Sequence, residues 1–335
     1  MAERLLEVKG LKVRFTTEDG VVRAVDDVSF ELDRGKVLGI VGESGSGKSV
    51  TAMTLLGLTR DKNTTFEGEV RYDGDNLLAL PESRLRDVRG NQIAMIFQDP
   101  MTSLNPVYTV GNQIVEAIVT HEQASKQEAK RRAVELLRQV GIPNPQQRID
   151  DYPHQFSGGM RQRAMIAMAL SCNPDILIAD EPTTALDVTI QAQILELLDR
   201  LRADFDSAVI LITHDLGVVA ETCDEVAVMY GGRVVERGSV EDVFGAPQHP
   251  YTEALLQSIP MLGMTQAEPL RVIRGNVPSP LNWPKVCRFA PRCDYAFEKC
   301  VELPPLLPVG PQESACWLCE QGRRSAAPPP SVIEA

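Results

Sequence analysis

What this sequence lacks narrows it first. No apolar run reaches the roughly 18–20 residues that a membrane-spanning helix needs. The stretch Met1 to Gly10 carries a charge every few positions and no apolar h-region, so it does not read as a secretory leader. Basic residues are outnumbered, 34 Lys and Arg against 46 Asp and Glu, giving a formal charge of -12. Nucleic acid is therefore not expected as a partner, because neutralising its phosphates takes a basic surface. Cysteine is nearly absent before residue 287. Only Cys172 and Cys223 occur there, and both read as small buried apolar residues. No internal repeat is visible. At 335 residues and 43% hydrophobic, the chain has length for about two domains and a sizeable core. With neither span nor leader, it is expected in the cytosol unless a membrane partner holds it.

What is present alternates between two periods. Leu6, Val8, Leu11, Val13 and Phe15, then Val25, Val28, Phe30 and Leu32, with Gly20 between the runs, predict antiparallel strands. The apolar run Val37 to Val41 ends in a glycine-rich turn, and Lys48 to Leu58 has helical spacing. Strand, glycine loop and helix in that order open a parallel α/β fold. Gln92 to Phe97 reads as a strand and Thr109 to Val140 as helical, broken by Pro143, Pro145 and Pro153. Gly158 to Ser171 reads as a helix. Ile176 to Ala179 and Val209 to Thr213 read as short buried strands flanking a helix over Thr189 to Ala203, and Glu225 to Arg237 reads as a hairpin about Gly231-Gly232. After Pro278 proline becomes dense and periodicity fades, as expected of a small segment ordered by metal; the end, 326–335, is expected to be disordered.

Three short segments carry chemistry. Gly42, Glu43, Ser44, Gly45, Ser46, Gly47, Lys48 and Ser49 fit G-x-x-x-x-G-K-[ST]. Glycines let the backbone wrap phosphates with its N–H groups, Lys48 would sit against the β and γ phosphates of ATP, and the Ser49 hydroxyl would bind Mg²⁺. Ile176 to Glu181 ends a buried apolar strand in two acids. Asp180, costly to bury without a cation or partner, would hold the same Mg²⁺, and Glu181 would polarise the attacking water. Ser157-Gly158-Gly159 offers a hydroxyl and two unhindered amides at a helix start, an anion site.

The octet Phe156 to Arg163 resembles the signature of the ABC ATPase family, usually Leu-Ser-Gly-Gly-Gln, with Phe156 in place of Leu and Met160 in place of Gln. The resemblance runs from residue 1 to about 260. It implies that Gln98 is the Q-loop glutamine that senses Mg²⁺, Asp187 belongs to the D-loop, His214 is the switch histidine at the γ-phosphate, and Phe15 stacks on adenine. It also implies a head-to-tail dimer in which Ser157, Gly158 and Gly159 close over ATP held by the other subunit. The fold it implies is a P-loop cassette at 1–260. This comprises a RecA-like parallel core, an antiparallel β subdomain and a helical subdomain at about 100–171, followed by a cysteine-rich extension at 261–325.

The segments Gln98 to Pro106, Asp180 to Thr189 and His249-Pro250-Tyr251-Thr252 look like those of dipeptide and oligopeptide importer ATPases. The resemblance implies an ATPase that drives peptide import from the cytoplasmic face of a bacterial inner membrane. Its partners would be a second, homologous ATPase, two integral membrane permease subunits and, indirectly, a periplasmic binding protein. Close relatives carry nickel or glutathione instead. Two readings from other classes remain. One is a non-transport ABC ATPase, although translation factors usually carry two cassettes and repair clamps insert long coiled coils or binding domains, neither of which is present. The other is a P-loop kinase, which would need an acceptor site and a lid and would not need Ser157-Gly158-Gly159.

Cys287, Cys293, Cys300 and Cys316 are spaced C-x₅-C-x₆-C-x₁₅-C, with Cys319 close behind. Thiolates suit zinc or an iron–sulfur cluster equally by softness. Zinc favours C-x₂₋₄-C pairs, and only Cys316 and Cys319 form one, which tilts the reading to a [4Fe–4S] cluster with a structural role. The family resemblance tilts it further. Zinc and free thiols stay open, and Cys319 could replace Cys316 as the fourth ligand.

Overall fold

The structure, a computed structural model, describes residues 3–184, 187–258, 273–281 and 283–321. The end expected to be disordered, 326–335, lies outside the described residues, as does the start of the extension, 261–272. In chain order the first elements are β1 (Arg4–Thr17), β2 (Gly20–Asp33), β3 (Val37–Val41), α1 (Lys48–Leu55), β4 (Thr64–Tyr72), β5 (Asp75–Asn76), α2 (Glu82–Val88) and β6 (Ile93–Ile96). There follow α3 (Pro100–Ser103), α4 (Val110–His121), α5 (Lys126–Gln139), α6 (Pro145–Arg148), α7 (Gly158–Ala169), β7 (Ile176–Asp180), α8 (Val188–Phe205) and β8 (Ala208–Thr213). The last are α9 (Leu216–Thr222), β9 (Glu225–Tyr230), β10 (Arg233–Ser239), α10 (Val240–Gly245), α11 (Pro250–Gln257), β11 (Leu307–Val309) and β12 (Gln312–Ser314). These fall into two compact units. One takes 1–4, 33–36 and 79–212, and the other takes 5–32, 37–78 and 213–335.

The second, which we call the P-loop unit, holds an antiparallel sheet in the order β2-β1-β4-β5. Leu6, Val8, Leu11 and Val13 of β1 are all buried, the period-two face seen in the sequence. The pairing with β4 slips between Lys9 and Lys12, where Gly10 takes φ 57 and resets the alternation. A second set of strands starts from β3, whose five residues are all buried, as in a parallel strand covered on both faces. It lies parallel to β9. Gly231 and Gly232, at φ 58 and 80, turn β9 into antiparallel β10, a geometry that demands two positive φ values. The sequence gives no sign of the next two strands: β12 pairs with β10 and β11 with β12, both antiparallel. The proline-rich tail therefore continues this set of strands. It also carries apolar weight. Phe289 joins the buried cluster of Val41, Val228, Tyr230 and Tyr251, and Trp283, Trp317 and Leu318 are buried.

The other, the signature unit, carries β6, β7 and β8 in parallel, with β7 central. Every residue of β7 is buried. The helical stretch expected from Thr109 to Val140 divides into α4 and α5. Ser125 starts α5 with a capping box, its hydroxyl accepting from the Glu128 N–H while the Glu128 carboxylate accepts from the Ser125 N–H.

Candidate functional site

In the P-loop unit β3 feeds residues 42–49, and α1 leads away. The loop is shaped from beneath. A Cβ on Gly42 would lie 2.1 Å from the Met229 carbonyl oxygen, and one on Gly47 would lie 2.5 Å from that of Ala24. Gly45 would meet nothing within 4 Å, so the opposite side is open. Lys48 is 6% exposed, and its ammonium donates to the carbonyls of Gly42 at 2.7 Å and Glu43 at 3.1 Å, spanning the loop. The Ser46 hydroxyl is buried without a hydrogen-bond partner, an orphan that an anionic oxygen in the loop would satisfy. Ser44 is exposed and Ser49 half-buried. The Glu43 N–H donates to the Tyr251 hydroxyl at 2.8 Å. Phe15 is half-buried on β1, and His214 is exposed just before Asp215, which caps α9.

In the signature unit Asp180 closes β7 at 5% exposure. Glu181 follows at φ 47, a left-handed conformation that is strained for a residue with a side chain. Its N–H donates to the Ile212 carbonyl at 2.8 Å, and its carboxylate accepts from Gln98 at 2.9 Å and Thr184 at 2.8 Å. The structure thus brings Gln98 and Glu181 together across 83 residues of sequence. Ser157 caps α7, accepting from the Met160 N–H at 3.3 Å, and remains exposed. A Cβ on Gly158 would meet nothing within 4 Å, whereas one on Gly159 would lie 3.3 Å from Ile190 of α8. Asp187 caps α8 by accepting from the Ile190 N–H at 3.0 Å. Ala185 and Leu186 lie outside the described residues. Buried Gln162 ties α7 to the strand end, donating to the Pro182 carbonyl at 2.7 Å. Thr184, Gln162 and Tyr251 have no assigned role in the sequence reading. The only signal for them was their membership of motifs read for other residues.

The cysteines of the tail are neighbours. The Cys287 N–H donates to the Cys300 carbonyl at 3.0 Å, and that of Cys319 to the Cys316 carbonyl at 3.3 Å. Burial pushes the Cys287 thiol up and takes Cys293 to about 11, and in both the adjacent thiols push the same way. Cys316 is pushed up chiefly by its hydrogen bond with Cys319, which also pulls Cys319 down to about 7. The donor chemistry suits a soft metal centre. The expected four-thiolate geometry is not closed, however: among the described residues no three Cys, His, Asp or Glu side chains converge tightly enough to hold an ion. Cys172 is buried and its thiol is pushed up by burial. Cys223 is only partly buried, packs against the core of the P-loop unit and is pushed up to about 12.

Two families match the chain. The ABC transporter family covers residues 25–184, and the family of the oligopeptide/dipeptide transporter C-terminal region covers 235–300. The chain is 55% identical over 320 residues to a probable peptide ABC transporter ATP-binding protein of Sinorhizobium fredii, covering 94% of this chain and 95% of that one. It is 52% identical over 332 residues to the oligopeptide transport ATP-binding protein OppD of Bacillus subtilis, covering 98% and 93%. Among solved structures, a dimeric bacterial ABC transporter cassette, MJ0796, superposes with a TM-score of 0.63 at 27% identity, over 70% of this chain and 99% of that one. No helix among the described residues is long and apolar enough to cross a membrane.

Proposed function

The chain belongs to the ATP-binding subunits of ABC transporters, in the branch that imports peptides, and on that premise we propose how its residues divide the work. It is an ATPase, and hydrolysis drives transport. The substrates we assign are di- and oligopeptides. The observation that carries this is identity of 55% and 52% with relatives named for peptide transport, over alignments that take in 94% and 98% of the chain.

In our reading Lys48 and the amides of residues 42–47 hold the phosphates of ATP. Ser49, Gln98 and Asp180 are Mg²⁺ ligands, and Phe15 stacks on adenine. The Glu181 carboxylate takes the role of water activator and Gln98 orients it, which their 2.9 Å hydrogen bond supports. His214 attends the γ-phosphate. Ser157, Gly158 and Gly159, with Asp187, face the ATP of a second and different ATPase subunit, and the exposure of Ser157 and Gly158 supports a surface made for a partner. Two permease subunits hold the pair at the cytoplasmic face of the inner membrane, and a periplasmic binding protein delivers the peptide. The boundaries we assign are a cassette at 1–260, with its helical part at about 100–171, and an extension at 261–325. Cys287, Cys293, Cys300 and Cys316 are our choice as ligands of a [4Fe–4S] cluster, which would cross-link the extension. The soft donor chemistry of the thiols supports it, and the four side chains would have to draw together to hold the cluster, since among the described residues no three converge on an ion.

The experiment is reconstitution of the complete transporter in liposomes. ATPase activity should rise when the binding protein is loaded with peptide. Stimulation by nickel or glutathione in its place would move the chain to a sister branch. Anaerobically purified chain should be brown, with about four iron and four sulfide per chain. Colourless protein with one zinc would overturn the cluster.

A further inference from the structure

The second residue of the P-loop is held from outside the loop. Beyond its N–H bond to Tyr251, the Glu43 carboxylate receives a two-pronged guanidinium. Arg292 Nη1 lies 2.6 Å from Oε2, and Nη2 lies 3.0 Å from Oε1. Arg292 has a side chain only 5% exposed and is itself fixed. Its Nε donates to the Arg274 carbonyl at 2.8 Å, Nη1 also reaches the Tyr230 hydroxyl at 3.3 Å, and the guanidinium lies 5.8 Å from the centre of the Tyr230 ring. Tyr230 and Tyr251 pack at 4.7 Å, and Phe289 contacts both. A second arginine secures the loop's neighbour. Arg288 donates to the Gly231 carbonyl and the Asp26 carboxylate while lying 4.8 Å over Trp283. The adjoining Gly232 N–H donates to the Ser46 carbonyl at 3.0 Å. Arg288 follows Cys287 and Arg292 precedes Cys293.

This arrangement has two physical consequences. A bidentate guanidinium–carboxylate pair fixes direction as well as distance, so the loop is set before the ligand arrives and binding loses less to ordering. It also neutralises a carboxylate carried by the loop that is to hold polyanionic phosphates. An unpaired Glu43 there would repel them.

We propose that Arg292 is a positioning residue for nucleotide binding, acting through Glu43: it pairs the carboxylate and thereby holds the P-loop ready for phosphate. This rests on the reading of residues 42–49 as the ATP site, and the test separates the two. Affinity of the full chain for a fluorescent ATP analogue is measured alongside kcat and KM of the assembled transporter. Wild-type chain should bind and Lys48→Ala should not. If the two bind equally, or wild type fails to bind, the ATP-site reading fails. With that control in place, Arg292→Ala should raise Kd and KM about ten-fold, the loss of a charge-assisted bond, while kcat at saturating ATP stays within about two-fold. Adding Glu43→Gln to Arg292→Ala should return Kd to within about three-fold of wild type, because the unpaired charge is gone. Arg292 would be merely structural, and the proposal overturned, if the folded Arg292→Ala chain bound normally or if Glu43→Gln failed to recover it. Should Arg292→Ala not fold, Arg292→Lys carries the decision. It keeps the charge but loses the fork, and should weaken binding about three-fold. Unchanged affinity in that variant would overturn the proposal equally.

Discussion

The two glycine loops of this chain are built on opposite plans. In the P-loop unit, Gly42 and Gly47 lie against backbone carbonyls, Lys48 is buried, and Glu43 is gripped by Tyr251 and Arg292. In the signature unit, Ser157 and Gly158 open a helix into empty space. A loop closed on every side but one is finished within its own chain. A loop with nothing above it presents amides and a hydroxyl for something that comes from elsewhere. That contrast is the physical content of the head-to-tail reading, and substitutions can press on it from either side.

Gly42→Ala presses hardest. Its Cβ would need the space of the Met229 carbonyl, and backbone at the foot of a buried strand cannot withdraw. Displacing the loop by about 1 Å should cost on the order of 100-fold in nucleotide affinity, read by titrating the full chain with an ATP analogue. Near-normal affinity would mean that the floor of the loop is softer than its packing implies.

Next comes Glu181→Gln. The residue is held at φ 47 beside Gln98 and Thr184, and Gln can keep those bonds but cannot accept a proton. Turnover by the assembled complex should fall by about 10²–10⁴-fold with ATP binding intact. Turnover that persists after the partner ATPase is silenced would remove Glu181 from the chemistry.

Gly158→Ala supplies the matched contrast to Gly42→Ala. Its Cβ meets nothing, and alanine suits the first turn of a helix better than glycine. The chain itself should become more stable by about 0.5–1 kcal/mol and should bind its own ATP as before. If the head-to-tail reading holds, turnover in the complex should nonetheless drop by at least about ten-fold, because the methyl would enter the cradle that this reading gives to the partner's phosphates. A loss of nucleotide affinity in this chain alone would defeat the division of labour.

How far all this was legible in the sequence follows the same contrast. β3 and β7 could be read because a strand buried on both faces is an unbroken apolar run. The hairpin at Gly231-Gly232 could be read because its turn needs two positive φ values. The phosphate loop, the paired acids and the signature were readable because each is a contiguous string. Tyr251 and Arg292 were not, since they reach Glu43 across 208 and 249 residues and no local period announces the meeting. Short elements were missed for the same reason. β11 and β12 owe their pairing to β10, far upstream, and a stretch of Leu307-Pro308-Val309 shows no strand pattern of its own.

The smallest expected effect distinguishes the units by pH. Two buried titratable groups meet at the start of α11, both in the P-loop unit: His249, which caps the helix, and Glu236, which reaches it from β10. Glu236, fully buried, accepts from the His249 N–H at 3.1 Å and from the Gln248 N–H, and burial raises it to about 8. His249 accepts from the Tyr251 N–H at 3.0 Å through Nδ1, and burial lowers it to about 3. The raised carboxyl keeps its proton in the folded chain while the unfolded chain loses it, so stability falls as pH rises from about 4.5 towards 8. The depressed imidazole works in the opposite direction below about 6.5, where the unfolded chain takes up a proton that the folded chain refuses. The two slopes oppose each other between about 4.5 and 6.5. Above that the Glu236 slope continues downward, and from about 7 the Cys319 thiol, pulled down by its hydrogen bond with Cys316, adds a rising slope against it. One proton is worth about 1.4 kcal/mol per pH unit, which for a chain of this size moves Tm by only about 2 °C. With Cys319 replaced by Ser to remove that opposing slope, calorimetry from pH 6.5 to 8 should therefore show the transition that contains the P-loop unit drifting downward. Glu236→Gln, which keeps one of the two acceptor oxygens but cannot ionise, should hold it level in the same background, at a lower absolute Tm. A downward drift that survives both substitutions would place the titrating group elsewhere and overturn the assignment to Glu236.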